Sequence, residues 1–171
     1  MIYLLLASLI WAFSFGIIKG NLTSVDTNFV SFARLFISFL VFIPFLKLKQ
    51  INYKLFLKFL FIGSIQFGIM YVSYIYAFQF LKAYEVVLFT IFTPFYVVLI
   101  NDLIDRKLNA FFYFTAFISF VGAAIVVWND VVSTNLLLGF LFMQISNFAF
   151  AFGQIIYKKT MDNKNTIQDK N

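Results

Sequence analysis

Six stretches of this sequence are long and apolar enough to cross roughly 30 Å of hydrocarbon: Ile2 to Ile18, Asn28 to Leu46, Leu55 to Leu81, Val86 to Ile100, Phe111 to Trp128, and Leu136 to Tyr157. Only short polar joints separate them, which leaves no room for a soluble domain. Hydrophobic residues make up 63% of the chain and charged residues 12%, whereas soluble domains are roughly a quarter charged. So much apolar surface has no aqueous core to hide in, and the bilayer is its solvent. The expected fold is all-α, a polytopic membrane bundle of about six transmembrane helices. The third span is the longest and can tilt or project beyond the lipid. The fourth is short unless Lys82 to Glu85 form its first turn.

Charge placement orients the bundle. Lys47, Lys49, Lys54, Lys58, Arg106, Lys107, Lys158, Lys159, Lys164 and Lys170 fall on one side of the spans, and only Lys19 and Lys82 on the other. By the positive-inside rule the first group is expected to be cytoplasmic, as are both termini, in a multi-pass protein of the cell membrane. The net charge of +6 belongs to these loops and implies no nucleic-acid partner. Ile2 to Ile18 is a span and not a cleaved leader, having no basic stretch before it and no small-x-small site after it. Residues 160–171 read as a polar, disordered cytoplasmic tail.

Cysteine and histidine are both absent, which removes disulfides, thiol nucleophiles, imidazole bases and the usual zinc and haem ligands. There is no phosphate-cradling glycine loop and no catalytic triad. Asp102 and Asp105 share a helix face but stand beside Arg106 and Lys107, the pattern of a solvated helix end. No enzyme activity, metal or cofactor is expected.

The first and last spans carry a weak internal repeat: Ala12-Phe13-Ser14-Phe15-Gly16 lies over Ala149-Phe150-Ala151-Phe152-Gly153. Five helices separate the two starts, so the copies would run in opposite directions, as in the inverted repeats of many transporters. LLLASLIWAFSFGIIKG, FARLFISFLVFIP around Arg34, AFQFLKAYEVVLFTIFTPFYVVLI, FISFVGAAIVVW and GFLFMQISNFAFAFGQIIYKK, in this order, resemble the EamA family of the drug/metabolite transporter superfamily. That resemblance implies ten helices in two inverted five-helix repeats and the transport of small metabolites, often amino acids and related compounds. On this pattern residues 1–128 are the first repeat and 129–159 the first helix of an incomplete second one. The implied function is secondary transport, import or export, by alternating access.

Several side chains are candidates to line a solute cavity. Arg34 is the one ionisable residue deep in a span, with Ser31 and Ser38 on its face, and an intramembrane charge is a functional candidate by default. It either snorkels to the outer headgroups or meets an anionic solute or an intramembrane acid. Glu85 is the nearest acid on that side, at a helix N-terminus where the dipole favours a carboxylate. Trp11, Ser14, Gln66, Tyr74, Thr90, Pro94, Gln144 and Asn147 complete the cavity list, as aromatic walls with a few amides and hydroxyls. Pro94 frees a carbonyl in mid-span. Gln144, Asn147, Ala151 and Gln154 fall within a sector of about 80° of the last helix. That polar face needs protein or a wet cavity, which the missing helices of a second half or a second copy of the chain would provide. Ser8, Ala12 and Gly16, with Ala149 and Gly153, read as close-packing seams.

Two other readings stay open. One is a non-transporting membrane subunit that associates through these seams. The other is a dimeric exporter similar to the small multidrug-resistance proteins, although the carboxylate those carry on their first helix has no counterpart here. In every case the partners are lipid, other helices and, for a transporter, a small solute.

Overall fold

The computed structural model describes residues 2–46, 52–106, 108, 110–126 and 134–168. The described residues form α1 (Ile2–Ile17), α2 (Thr27–Phe42), α3 (Tyr53–Gly63), α4 (Met70–Phe80), α5 (Ala83–Phe89), α6 (Phe92–Asp105), α7 (Ala110–Val126) and α8 (Thr134–Gln168). Several of these join into single rods. A π-helical turn, Ile18–Leu22, prolongs α1, and another, Ser64–Ile69, links α3 to α4. Five helical runs are long and apolar enough to span a bilayer: Ile2–Leu22, Thr27–Phe45, Tyr53–Phe80, Ala83–Asp105 and Asn135–Asp162. The sixth, Ala110–Gly122, is a shorter apolar helix. Trp128, the expected end of that fifth span, and the 128/129 boundary lie outside the described residues.

The helix ends follow from local chemistry. Asp26 caps α2 by accepting a hydrogen bond from the Phe29 backbone N–H at 2.8 Å, which satisfies one of the orphan donors of the first turn. Pro44 falls in the single 3₁₀ turn, Ile43–Phe45, that closes the α2 span. Leu81 and Lys82 are extended and reverse the chain. The Glu85 carboxylate then accepts the Lys82 backbone N–H at 2.6 Å, capping α5. The fourth span therefore begins at Ala83, with Glu85 inside its first turn, and runs 23 residues to Asp105. Arg106 ends it in the left-handed conformation, φ 52°.

One expectation is corrected. Residues 160–171 do not form a disordered tail throughout, because α8 continues unbroken to Gln168, and 169–171 lie outside the described residues. Lys159 pairs with Asp105 of α6, and Thr160 donates to the Ile156 carbonyl. These bonds carry the helix past the apolar stretch.

α8 is the axis of the bundle. In its most apolar window 44% of the residues are buried, against 6–17% in the other four spans. It runs antiparallel to α3–α4: Leu81 meets Gly139, Tyr76 and Phe80 stack on Phe142, and Phe59 meets Tyr157. It runs parallel to α5–α6, with Phe92 on Phe140, Tyr96 on Phe148 and Asp105 on Lys159. α1 points the opposite way from α8, since Lys19 near its C-terminal end donates to the Phe78 carbonyl near the C-terminal end of α4 at 2.7 Å. Two glycines permit the close approach of α8 to α4. A Cβ on Gly139 would fall 2.4 Å from Leu81 Cγ, and one on Gly153 would fall 2.3 Å from Gln66 Cβ.

Candidate solute site

One polar interior point of the bundle is built on Arg34. Asp26 and Thr27 start α2 at the joint, and Arg34 follows two turns in, pointing at α1 and α4. Its Nη2 donates to Ser14 Oγ of α1 at 3.4 Å, and its guanidinium carbon lies 5.6 Å from the centroid of the Tyr71 ring, a cation–π distance. Arg34 Nε is buried with no hydrogen-bond partner. Among the described residues no carboxylate lies within ion-pair distance of it. Glu85, considered above as its acid, is committed instead to the α5 N-terminus and to the Tyr84 hydroxyl, which donates to it at 3.4 Å.

Aromatic rings extend from the Tyr71 contact. Tyr71 meets Tyr74 edge-on at 6.3 Å, and Tyr74 meets Phe15 of α1 at 6.1 Å and Phe78 at 5.1 Å. Edge-to-face pairs of this kind hold rings in fixed orientations. The neighbouring helices are tied close by: Gln79 Nε2 donates to the Thr23 carbonyl at 3.0 Å and to the Thr27 hydroxyl at 3.3 Å, and Asn28 Nδ2 to the Tyr76 hydroxyl at 3.4 Å.

A second polar point lies where the fourth span breaks. Between α5 and α6 the backbone tightens, with Ile91 N–H donating to Leu88 and Thr93 N–H to Thr90. Pro94 cannot donate, so a regular α-helical ladder is impossible here. Asn147 of α8 repairs the break. Its Nδ2 donates to the Phe89 carbonyl at 2.8 Å, and its Oδ1 accepts from the Thr93 hydroxyl at 3.1 Å. Ser146, beside it, donates to the Met70 carbonyl at 3.2 Å, just past the π-helical turn.

The structure thus brings together Ser14, Arg34 and Tyr74 of the expected cavity residues, and disperses the rest. Trp11 is 67% exposed on α1. Gln66 packs on Gly153 of α8. The Thr90 hydroxyl bonds to the Val87 carbonyl of its own helix, and Pro94 faces outward. The Gln144 side chain has both polar atoms buried and unpartnered. Gln154 is exposed, while Ala151 is fully buried, so among the described residues Asn147 is the one amide of this face that α5 and α6 of the same chain meet. Ala149 and Gly153 are buried, whereas Ser8, Ala12 and Gly16 are exposed. Sequence reasoning missed Tyr71. Its signal was masked by the π-helical turn Ser64–Ile69, whose i→i+5 bonding inserts a residue and offsets the helical face by about 100°.

At the Arg106 end, a cavity of about 500 Å³ opens between α6, α7 and α8, with Asn101, Asp102, Asp105 and Lys158 among its lining residues. The Tyr113 hydroxyl donates to Asp102 there. Among the described residues no group of three metal-ligating side chains is found.

Comparison with known proteins places this architecture. The chain is 37% identical over 160 residues to a probable biotin transporter of Pseudomonas aeruginosa, covering 93% of this chain and 56% of that protein. It is 35% identical over 166 residues to the biotin transporter of Salmonella typhimurium and 34% to that of Escherichia coli K12, covering 96% of this chain and 55% of each. The chain therefore spans about half the length of these relatives. No solved structure matches it. The model of the EamA-like transporter family matches residues 1–128, three quarters of the sequence, and the chain belongs to that family.

Proposed function

We propose that this chain is a multi-pass subunit or portion of a secondary transporter that carries biotin, or a small metabolite of similar chemistry, across the cell membrane by alternating access. Both termini lie on the cytoplasmic side in this reading. The observation that carries it is the break between α5 and α6, whose free Phe89 carbonyl is met by Asn147 of α8. Discontinuous spans whose free backbone groups are met inside the protein are the usual seat of solute and ion handling in transporters. The likeness to biotin transporters supports the substrate, and an interior wall of aromatic rings with a few polar groups suits a small amphipathic solute. Ser14, Arg34 and Tyr74, with Tyr71, form the solute-facing set. Trp11, Gln66, Thr90 and Gln144 join only if further helices close over them, and Asn147 and Pro94 shape the break.

Uptake of tritiated biotin tests this. Vesicles containing the chain, alone or co-expressed with a matching second half, are expected to accumulate label above empty vesicles. No accumulation in either preparation, with the protein shown to be folded and inserted, rejects the reading.

A second reading, a helix-associating subunit, is favoured by one observation. Ser8, Ala12 and Gly16 lie exposed on α1, and an added Cβ at Gly16 would meet nothing within 4 Å. Because the chain has no cysteine, Ala12→Cys gives a single thiol. Oxidative cross-linking of that variant in the membrane reports association of α1 with a second copy, and uniform lipid accessibility of the thiol argues against any helix partner there.

A further inference from the structure

We infer that Arg34 is the carboxylate-binding residue of the solute site, an inference that rests on the transporter reading above but not on biotin being the substrate. A guanidinium carries five N–H donors in a planar fork and a positive charge. In this structure one of those donors makes a long bond, 3.4 Å to Ser14 Oγ, and the ring face of Tyr71 takes part of the charge. Nε is buried with nothing to bond to, and among the described residues no carboxylate pairs with the group. A charge taken out of water without an opposite charge is strongly unfavourable unless another group supplies it.

Snorkelling does not account for this geometry. The guanidinium packs on Tyr71, which lies nine residues before the end of α4 at Phe80, about 13 Å down the helix axis. Lys19 and Lys82, not Arg34, mark the end of the bundle on that side. The arginine is aimed inward, between α1, α2 and α4.

The surroundings select the class of anion. A planar carboxylate matches the planar fork with two parallel hydrogen bonds. A single guanidinium lying on Tyr71, a ring that continues through Tyr74 to Phe15 and Phe78, with no lysine in its contacts, suits one negative charge on an apolar body. A phosphate dianion calls for more donors. The ligand is therefore a small organic monocarboxylate, and the vitamin named for the relatives is one member of that class.

The test compares each acid with its neutral primary amide on the full chain in nanodiscs. Biotin and biotinamide are measured by radioligand binding, and octanoate/octanamide and lipoate/lipoamide by thermal shift. The wild-type chain is expected to prefer the acid by about tenfold or more, the usual margin for a hydrogen-bonded charge. Arg34→Gln should abolish the preference by weakening the acid alone, and Arg34→Lys, which keeps charge without the fork, should fall between. Loss of acid and amide binding in equal proportion, or a wild-type chain with no preference for any acid, overturns the inference. Should biotin fail while another acid is preferred in an Arg34-dependent way, the biotin reading falls and the inference stands. If Arg34→Gln does not fold, as judged by size exclusion, the wild-type preference and Arg34→Lys decide.

Discussion

Asn147 and Gln144 lie one turn apart on α8, both amides, yet the structure treats them as opposites. Asn147 spends its side chain on the Phe89 carbonyl and the Thr93 hydroxyl, whereas Gln144 has buried oxygen and nitrogen with no partner. Replacing Asn147 by Ala strands a carbonyl at a break where the backbone has no alternative, and should cost about 1–3 kcal/mol. Melting of the purified chain in detergent checks this, with a fall in Tm expected. Gln144→Leu should do the reverse and raise Tm, because it removes two orphaned groups that each carry a desolvation penalty. A fall in Tm on Gln144→Leu would mean that the amide has a partner after all. That these two residues share a face was legible from their spacing. Which of them is satisfied was not, since the partner of Asn147 is a backbone carbonyl and every residue has one. Pro94 was the lone hint that a carbonyl nearby would be free. Arg34 was legible as a charge out of place, but its ring partner Tyr71 was not.

At the scale of elements, hydropathy located the spans well and helical periodicity located their faces poorly. In the third span the reason is the π-helical turn at Ser64–Ile69. A face traced at a constant angle per residue through Ser64–Ile69 places Gln66 and Tyr74 together. The inserted residue instead sends Gln66 to Gly153 on α8 and leaves Tyr74 facing Phe15 on α1. The Gln66–Gly153 contact is tight enough to test. Gly153→Ala puts a methyl group 2.3 Å from Gln66 Cβ, so the helices must part, at about 1–3 kcal/mol for overpacking. Gln66→Gly in the same chain removes the opposing carbon and should recover most of the lost Tm. Absence of such rescue would show that α8 and the π-helical turn are not held at this spacing. The same reasoning separates the small residues into two groups. Ala149 and Gly153 are buried within the bundle, and Ser8, Ala12 and Gly16 face outward on α1, a difference that composition alone does not reveal.

For the whole molecule, the family match and the packing divide the chain differently. The match covers residues 1–128, which end before α8, yet α8 is the most buried span. α4 and α6 are joined chiefly through it: Ser146 bonds to α4's first carbonyl, Asn147 to the end of α5 and to Thr93 of α6, and Lys159 to Asp105. Neither the bilayer nor the apolar effect replaces these links, because lipid tails are as apolar as the helix surfaces that α8 covers, and association in a membrane rests on packing and hydrogen bonds. Removing α8 would leave the Phe89 carbonyl unsatisfied at the Pro94 break and vacate the groove beside Leu81 and Gln66. A fragment of residues 1–128 is therefore expected to insert but to stay loose, with Arg34 no longer held against a fixed Tyr71. Limited proteolysis in nanodiscs should cut it between α4 and α6 at concentrations that spare the full chain. Adding residues 134–168 as a separate peptide should restore protection, and a peptide carrying Asn147→Ala should restore less. Equal resistance of the fragment and the full chain would show instead that residues 1–128 are self-sufficient and that α8 merely leans on them.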